Sequence, residues 1–205
     1  MTQNHTENLL LIFTKNPVAG KVKTRLVKDL GNEKALEIYK FLLAHSVKFT
    51  TSVNAVKQVH YSDKISENDI WDNAVFSKEK QIGNDLGERM EHAFLKGFEA
   101  GFKKIVVIGS DMYDIETLDI ETAFEKLDET EFVVGPAEDG GYYLFGMKSL
   151  HSKVFKNKEW GTSSVLKDTL KNLENEQVSL LETRNDVDLL EDIKDHPAFQ
   201  KFINS

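Results

Sequence analysis

Cysteine is absent from this 205-residue chain. Disulfides, thiolate metal sites and cysteine nucleophiles are therefore excluded, and a reducing compartment is the natural setting. Proline is scarce: Pro17, Pro136 and Pro197 are the three present, each where a loop or an element edge is expected. No apolar run approaches the roughly 20 residues that span a bilayer; residues 9–13 form one of the longest. The polar start MTQNHTEN lacks the basic and apolar regions of a secretory signal. A cytoplasmic protein without membrane insertion is expected. Positive charge is also in deficit, with 26 Lys and Arg against 34 Asp and Glu and a net charge of −8. Proteins that wrap nucleic acid present a basic surface, so nucleic acid is not an expected partner. Acidity of this size serves solubility and still leaves room for a small phosphorylated ligand on one local cationic loop.

What is present suits a globular fold. Hydrophobic residues make up 40% and charged residues 29%, with thirteen Phe as bulky core material. The length fits one domain over residues 1–205, with residues 1–8 expected to be a flexible tail. There is no internal repeat, low-complexity tract or Pro/Gly-rich linker.

Strand-like and helix-like segments alternate. Residues 9–14 are a short apolar run. Over 33–50, Ala35, Leu36, Tyr39, Leu42, Leu43 and Val47 recur at three-to-four spacing, which predicts an amphipathic helix. Residues 55–61 alternate as a half-buried strand does. A second helix is expected over 85–101, with Asp85 and Glu88 at capping-box spacing. Residues 105–108, IVVI, read as a central parallel strand buried on both faces. Further strands are expected at 132–134, 142–146 and 178–181, and helices at 120–127, 163–173, 188–194 and 198–203. This alternation predicts an α/β protein: three layers, αβα, around a mostly parallel sheet. Such sheets bind ligands beyond the carboxyl ends of their strands.

The loops after the strands therefore carry the candidate chemistry. After the first strand, TKNPVAGKVKTRL places Lys15, Lys21, Lys23 and Arg25 in one short stretch. Gly20 lets the backbone approach an anion, and lysine with arginine suits a triphosphate. A solvated basic turn would have the same composition. The spacing is not that of a Walker A loop. After the central strand, GSD puts Asp111 where a carboxylate can ligate Mg²⁺, with Asp114 close behind; an Asx-turn is the plainer reading. In PAEDGGYYLFG, Asp139 can complete a metal site, and Gly140 and Gly141 can let an acceptor lie against backbone. Asp-Gly is equally a hairpin signal. GNDLGER opens a helix, where Gly83 and Asp85 can meet an anion or a base or Asp85 can simply cap. WGTSS precedes another helix, so Trp160, Thr162 and Ser163 can grip an acceptor, or Thr162 or Ser163 can be an ordinary N-cap.

Taken in order, TKNPVAGKVKTRL, GNDLGERM, IVVIGSDMYDI, PAEDGGYYLFGM, WGTSSV and NDVDLLEDI resemble the DUF2064 family of bacterial glycosyltransferase-like proteins. That family is similar to the 2-phospholactate guanylyltransferases. The resemblance implies the nucleotide-diphospho-sugar transferase (GT-A) fold, Gly20, Lys21 and Arg25 on nucleotide phosphate, and Asp111 on Mg²⁺ or Mn²⁺ with Asp139 as a second carboxylate. Lys21, Arg25 and Asp111 are then the expected catalytic residues. Lys15, Gly20, Lys23, Gly83 and Asp85 join them around the nucleotide, and Gly140, Gly141, Tyr142, Trp160, Thr162 and Ser163 around a small-molecule acceptor. Related sequences commonly carry proline two residues after the GSD aspartate, where Tyr113 stands here.

The expected activity is metal-dependent transfer from a nucleotide to a small phosphorylated or carboxylated acceptor. The alternatives are sugar transfer from a nucleotide-sugar, with Asp139 or Glu138 as base, and a non-catalytic nucleotide-binding module. Both transferase readings require the basic loop and Asp111 to share one cleft, whereas the module needs the loop but could dispense with the metal.

Overall fold

The computed structural model describes residues 6–204. A single seven-stranded sheet runs through them: β1 Asn8–Thr14, β2 Val56–Tyr61, β3 Phe76–Lys80, β4 Lys104–Gly109, β5 Phe132–Pro136, β6 Tyr142–Met147 and β7 Val178–Leu180, in the spatial order β3-β2-β1-β4-β6-β5-β7. All neighbouring pairs are parallel except those of β6, which runs antiparallel to both β4 and β5. β5, its turn and β6 form a hairpin whose tip shares the rim of the sheet with the ends of β1 and β4.

The sheet is covered on both faces. In β1, Leu9, Leu10, Leu11 and Ile12 are all fully buried, because successive side chains point to opposite faces and both are packed. Leu10 and Ile12 join Tyr39, Leu43 and Phe49 of helix α1 (Thr24–Thr51) and Ile120, Ala123 and Phe124 of α3 (Thr117–Glu129). Leu9 and Leu11 join Met90, Ala93 and Phe94 of α2 (Leu86–Glu99), with Leu166 and Leu170 of α4 (Val165–Asn172) alongside. This is the expected three-layer αβα arrangement. A third cluster, on the outer side of α1, takes Phe199 from the C-terminal segment together with Ile193 of α5 (Leu190–Ile193). Helix α6 (Gln200–Ile203) follows directly.

The structure corrects several sequence expectations. Helix α1 begins at Thr24 rather than at residue 33, and Gly31 (φ 82°, ψ 167°) breaks it. That break resets the apolar phase, so residues 24–30 do not continue the pattern that follows. β3, FSKEK, went unread because it is a charged edge strand, mostly exposed. The expected tail overlaps residues 1–5, which lie outside the described residues. Asn8, by contrast, opens β1, and the Glu7 carbonyl accepts from Lys103 N at 2.9 Å. Among the described residues, no helix is long and apolar enough to cross a membrane.

Candidate functional site

The first wall of the site is built where β1 and β4 end. The Ser110 hydroxyl donates to Thr14 Oγ1 (2.9 Å), and Tyr39 OH accepts from Lys15 N (2.9 Å) and donates to Lys15 O (2.9 Å). These bonds tie the two strand ends to α1. The chain then turns through Gly20 (φ 74°) and reaches Lys23, a left-handed residue at φ 46°, ψ 45° just before α1. A non-glycine residue in that region costs about 1–3 kcal/mol. Here the turn drives the lysine inward. Its side chain is 3% exposed, and its ammonium donates to Asp111 Oδ2 at 2.8 Å and Asp188 Oδ1 at 3.2 Å. Arg25 donates to the other oxygen of Asp188 at 3.0 Å. Burial acts to lower the Lys23 pKa, but Asp111 and Asp188 outweigh it and hold the ammonium above its usual value. Desolvation likewise acts to raise Asp111, and Lys23 outweighs it, so Asp111 is held below the usual carboxylate range. Both groups are charged at neutral pH.

A cleft of about 250 Å³ opens beside this cluster, lined by Lys15, Ser62, Gln81, Arg89 and Asp111 among others. Gln81 is fixed by donating to His60 O (2.8 Å) and Thr14 O (3.3 Å). Arg89 donates to Gly83 O at 3.1 Å. Gly83 has φ 142°, and a Cβ there would lie 2.7 Å from Arg89 N, so glycine is required by both space and conformation. Asp85 is engaged as the N-cap of α2, accepting from Glu88 N at 2.8 Å. The Glu88 carboxylate reaches back to Asn84 N rather than to Asp85 N, a displaced form of the expected box.

The second wall is acidic. Asp139 Oδ1 accepts from Gly141 N at 2.8 Å in the tip of the β5–β6 hairpin. Gly140 has φ 88°, and a Cβ there would lie 2.3 Å from the Ser163 carbonyl; its own carbonyl accepts from Leu166 N at 2.9 Å. The glycine therefore lets the hairpin seat on the start of α4, whose N-cap is Ser164 rather than Thr162 or Ser163. Thr162 instead donates to Glu159 O at 2.8 Å. Asp139, Gly141, Tyr142, Trp160 and Thr162 line a second hollow together with Asp186. Leu86 lies in both hollows, and a third hollow lined by Phe13, Leu86 and Tyr142 adjoins each of them, so the three run on as one groove.

Asp186 is the residue least at ease. Its Oδ1 is buried without a hydrogen-bond partner. Burial first, then the charges of Asp139, Asp111 and Asp188, push its carboxyl up to about 7. Carboxylates brought this close are short of cations. Their oxygen donors suit Mg²⁺ or Mn²⁺, and the orphaned Asp186 oxygen fits such an ion. Among the described residues, no three such groups stand close enough to cage a metal by themselves. Mg²⁺ is commonly held by one or two carboxylates with phosphate oxygens and water, so the donor set is compatible with an ion brought in by a nucleotide.

Of the residues singled out in the sequence, the structure brings Lys15, Lys23, Arg25 and Asp111 together on one side of the groove, and Asp139, Gly141, Tyr142, Trp160 and Thr162 on the other. Lys21 is exposed in the basic loop without a side-chain partner among the described residues, and Lys23 is the lysine that meets Asp111. Asp114 and Ser163 are exposed. Gln81, Arg89, Asp186 and Asp188 were missed. The acids had a signal, the Asp-x-Asp spacing of NDVD beyond the last strand; Gln81 followed a strand that the pattern did not reveal.

Comparison with known proteins matches this architecture. Residues 45–162 match the family model DUF2064, described as uncharacterized protein conserved in bacteria. A candidate nucleotide-diphospho-sugar transferase from Desulfovibrio desulfuricans G20 is 30% identical with a TM-score of 0.85, covering 97% of this chain and 93% of that one. Two solved structures share the fold at much lower identity. The 4-diphosphocytidyl-2C-methyl-D-erythritol synthase of Anaerococcus prevotii is 8% identical (TM-score 0.58, 95% and 97% covered). Rv0371c of Mycobacterium tuberculosis is 12% identical (TM-score 0.56, 99% and 100% covered). No curated protein matches. With its sheet order and both walls of the groove in place, the chain has the nucleotide-diphospho-sugar transferase fold and belongs to the DUF2064 family.

Proposed function

We propose that this protein is a cytoplasmic, metal-dependent nucleotidyltransferase acting on a small phosphorylated or carboxylated acceptor. The observation that carries the reading is the convergence of Lys23, Arg25, Asp111 and Asp188 at the carboxyl end of β1 and β4, facing a second acidic wall across one groove. Lys15, Lys21 and Arg25 bind and orient the phosphates of the nucleotide, Lys23 holds Asp111 and Asp188 in place beside them, and the glycine-rich entrance to α2 faces the nucleoside. Asp111, with Asp186 or Asp139, would hold Mg²⁺ or Mn²⁺, which would neutralise phosphate charge. An acceptor oxygen bound along Tyr142 and Trp160 attacks the α-phosphorus. The bond to the bridging oxygen breaks, and pyrophosphate leaves with the electron pair. A phosphate or carboxylate acceptor is already ionised, so no general base is required. Catalysis is then positioning plus electrostatics.

The experiment is a thermal-shift screen of nucleoside triphosphates with and without Mg²⁺ or Mn²⁺, followed by product analysis. A nucleotide that binds the native state raises its melting temperature, and the shift is expected to need the metal. Asp111→Asn should abolish both the metal-dependent shift and pyrophosphate release; full activity in that variant would remove Asp111 from the chemistry. Binding that persists without metal and without turnover would instead favour a nucleotide-binding module.

Likeness to a candidate nucleotide-diphospho-sugar transferase supports a second reading, sugar transfer to a hydroxyl. The same groove serves, with Asp139 or Glu138 taking the acceptor proton. Release of a nucleoside diphosphate in place of pyrophosphate separates the two.

A further inference from the structure

Behind the basic loop, on the α1 face of the sheet, lies a second cavity that the transferase reading does not use. It measures about 200 Å³. Leu43, Tyr61 and Trp71 form its inner wall, each no more than 4% exposed. Ile70, 47% exposed, and two exposed lysines, Lys15 and Lys40, also line it. One carboxylate lines it, Asp69, and that charge is already satisfied: Tyr61 OH donates to one oxygen at 2.7 Å and Lys78 Nζ to the other at 2.9 Å. Neither Lys15 nor Lys40 has an ion-pair partner among the described residues. The cavity is therefore apolar inside and positive at its mouth. An apolar cavity of ~150 Å³ takes a benzene ring, so a single ring fits here with its charged end at the rim.

We infer that this cavity is a binding site for a small aromatic or branched carboxylate, separate from the groove. Its ligand would touch the loop that bears the phosphate-binding residues. Thr14, Lys15 and Pro17 line the cavity, and Thr14 and Lys15 also line the cleft on the other side. Asn16 between them clamps the loop to the end of β2, accepting from Asp63 N and Lys64 N at 3.2 Å each and donating to Lys64 O at 2.8 Å. Filling the cavity therefore biases the loop; this coupling, unlike the binding, rests on the transferase reading.

The test uses 4-fluorobenzoate as probe, followed by ¹⁹F line broadening on the full chain without nucleotide, with 4-fluorobenzyl alcohol as the neutral control. Saturable broadening by the carboxylate, stronger than by the alcohol, is expected. Lys40→Gln should weaken it by roughly twofold to fivefold, the range of an exposed charge pair. Ile70→Glu, at an exposed position, should abolish it with the fold intact by circular dichroism. No saturable binding, or binding unchanged in both variants, overturns the site. One-for-one displacement by ATP, GTP or CTP overturns it too, by placing the probe in the groove. A failed nucleotide screen leaves this result standing, so the two readings fail separately.

Discussion

His60 shows what burial does to a single titratable group. It is stacked on Phe13 at 5.3 Å between ring centroids, and its Nε2 is buried without a partner. Burial, with His92 nearby, lowers its pKa to about 4. The unfolded chain protonates near 6.5, so between these values it binds more protons than the folded protein. Stability contributed by a neutral His60 is complete above pH 6.5 and is lost as the pH falls toward 4. The shift corresponds to something on the order of 3 kcal/mol. His60→Phe should therefore flatten the loss of melting temperature between pH 6.5 and 4. Asp186 has the opposite slope, since it keeps its proton up to about 7 when folded, but it is common to both proteins and cancels in the difference. An unchanged pH profile in the variant would show that another group sets the acid limit. Lys23 illustrates what the sequence leaves unsaid at this scale. Four cations were visible in the basic loop, and the one turned inward is decided by a left-handed φ that no side-chain pattern records.

At the scale of elements, two glycines set the site's shape. Gly31 adopts φ 82° and ψ 167° with open space around its missing Cβ, so its role is conformational. It redirects residues 24–30, and with them Arg25, relative to the rest of α1. Gly31→Ala should cost about 1–3 kcal/mol in chemical denaturation and weaken nucleotide binding more than it lowers helix content by circular dichroism. Gly140→Ala combines a positive φ with a collision against the Ser163 carbonyl. It should unseat the hairpin from α4, and the Leu166 amide, which donates to Gly140 O, should lose protection in hydrogen exchange. If Leu166 stays protected, the joint does not depend on that glycine. Strongly periodic segments were legible in advance: β1, β2, β4, α2 and the body of α1 fall where apolar spacing puts them. β3 was not, because an exposed strand rich in lysine and glutamate has no buried face to write a pattern. The direction of β6 was not legible either, since alternation is the same whichever way a strand runs, although Asp-Gly did announce the turn.

For the molecule as a whole, the C-terminal segment is part of the site's support. Phe199 is fully buried and meets Tyr113 at 5.0 Å and Phe41 at 5.4 Å between ring centroids. Tyr113 stands two residues beyond Asp111, and its ring also lies against His45, 4.8 Å between centroids. An aromatic cluster thus anchors the carboxylate loop. Phe199→Ala should cost about 3–5 kcal/mol, read from urea unfolding, and under the proposed function the metal-dependent thermal shift should shrink as the Asp111 loop loosens.

The reversed strand β6 has a wider consequence. Because it returns beside β4 without a crossover, the cations and Asp111 come from residues 15–111 and the opposite wall, Leu86 apart, from residues 139–186, with Asp188 reaching back to hold Lys23 and Arg25. Under the proposed function, the boundary between the donor and acceptor halves runs along β4 and β6. Grafting a relative's residues 130–187 onto this chain, with Asp188 kept, should therefore exchange acceptor preference while leaving the choice of nucleotide untouched.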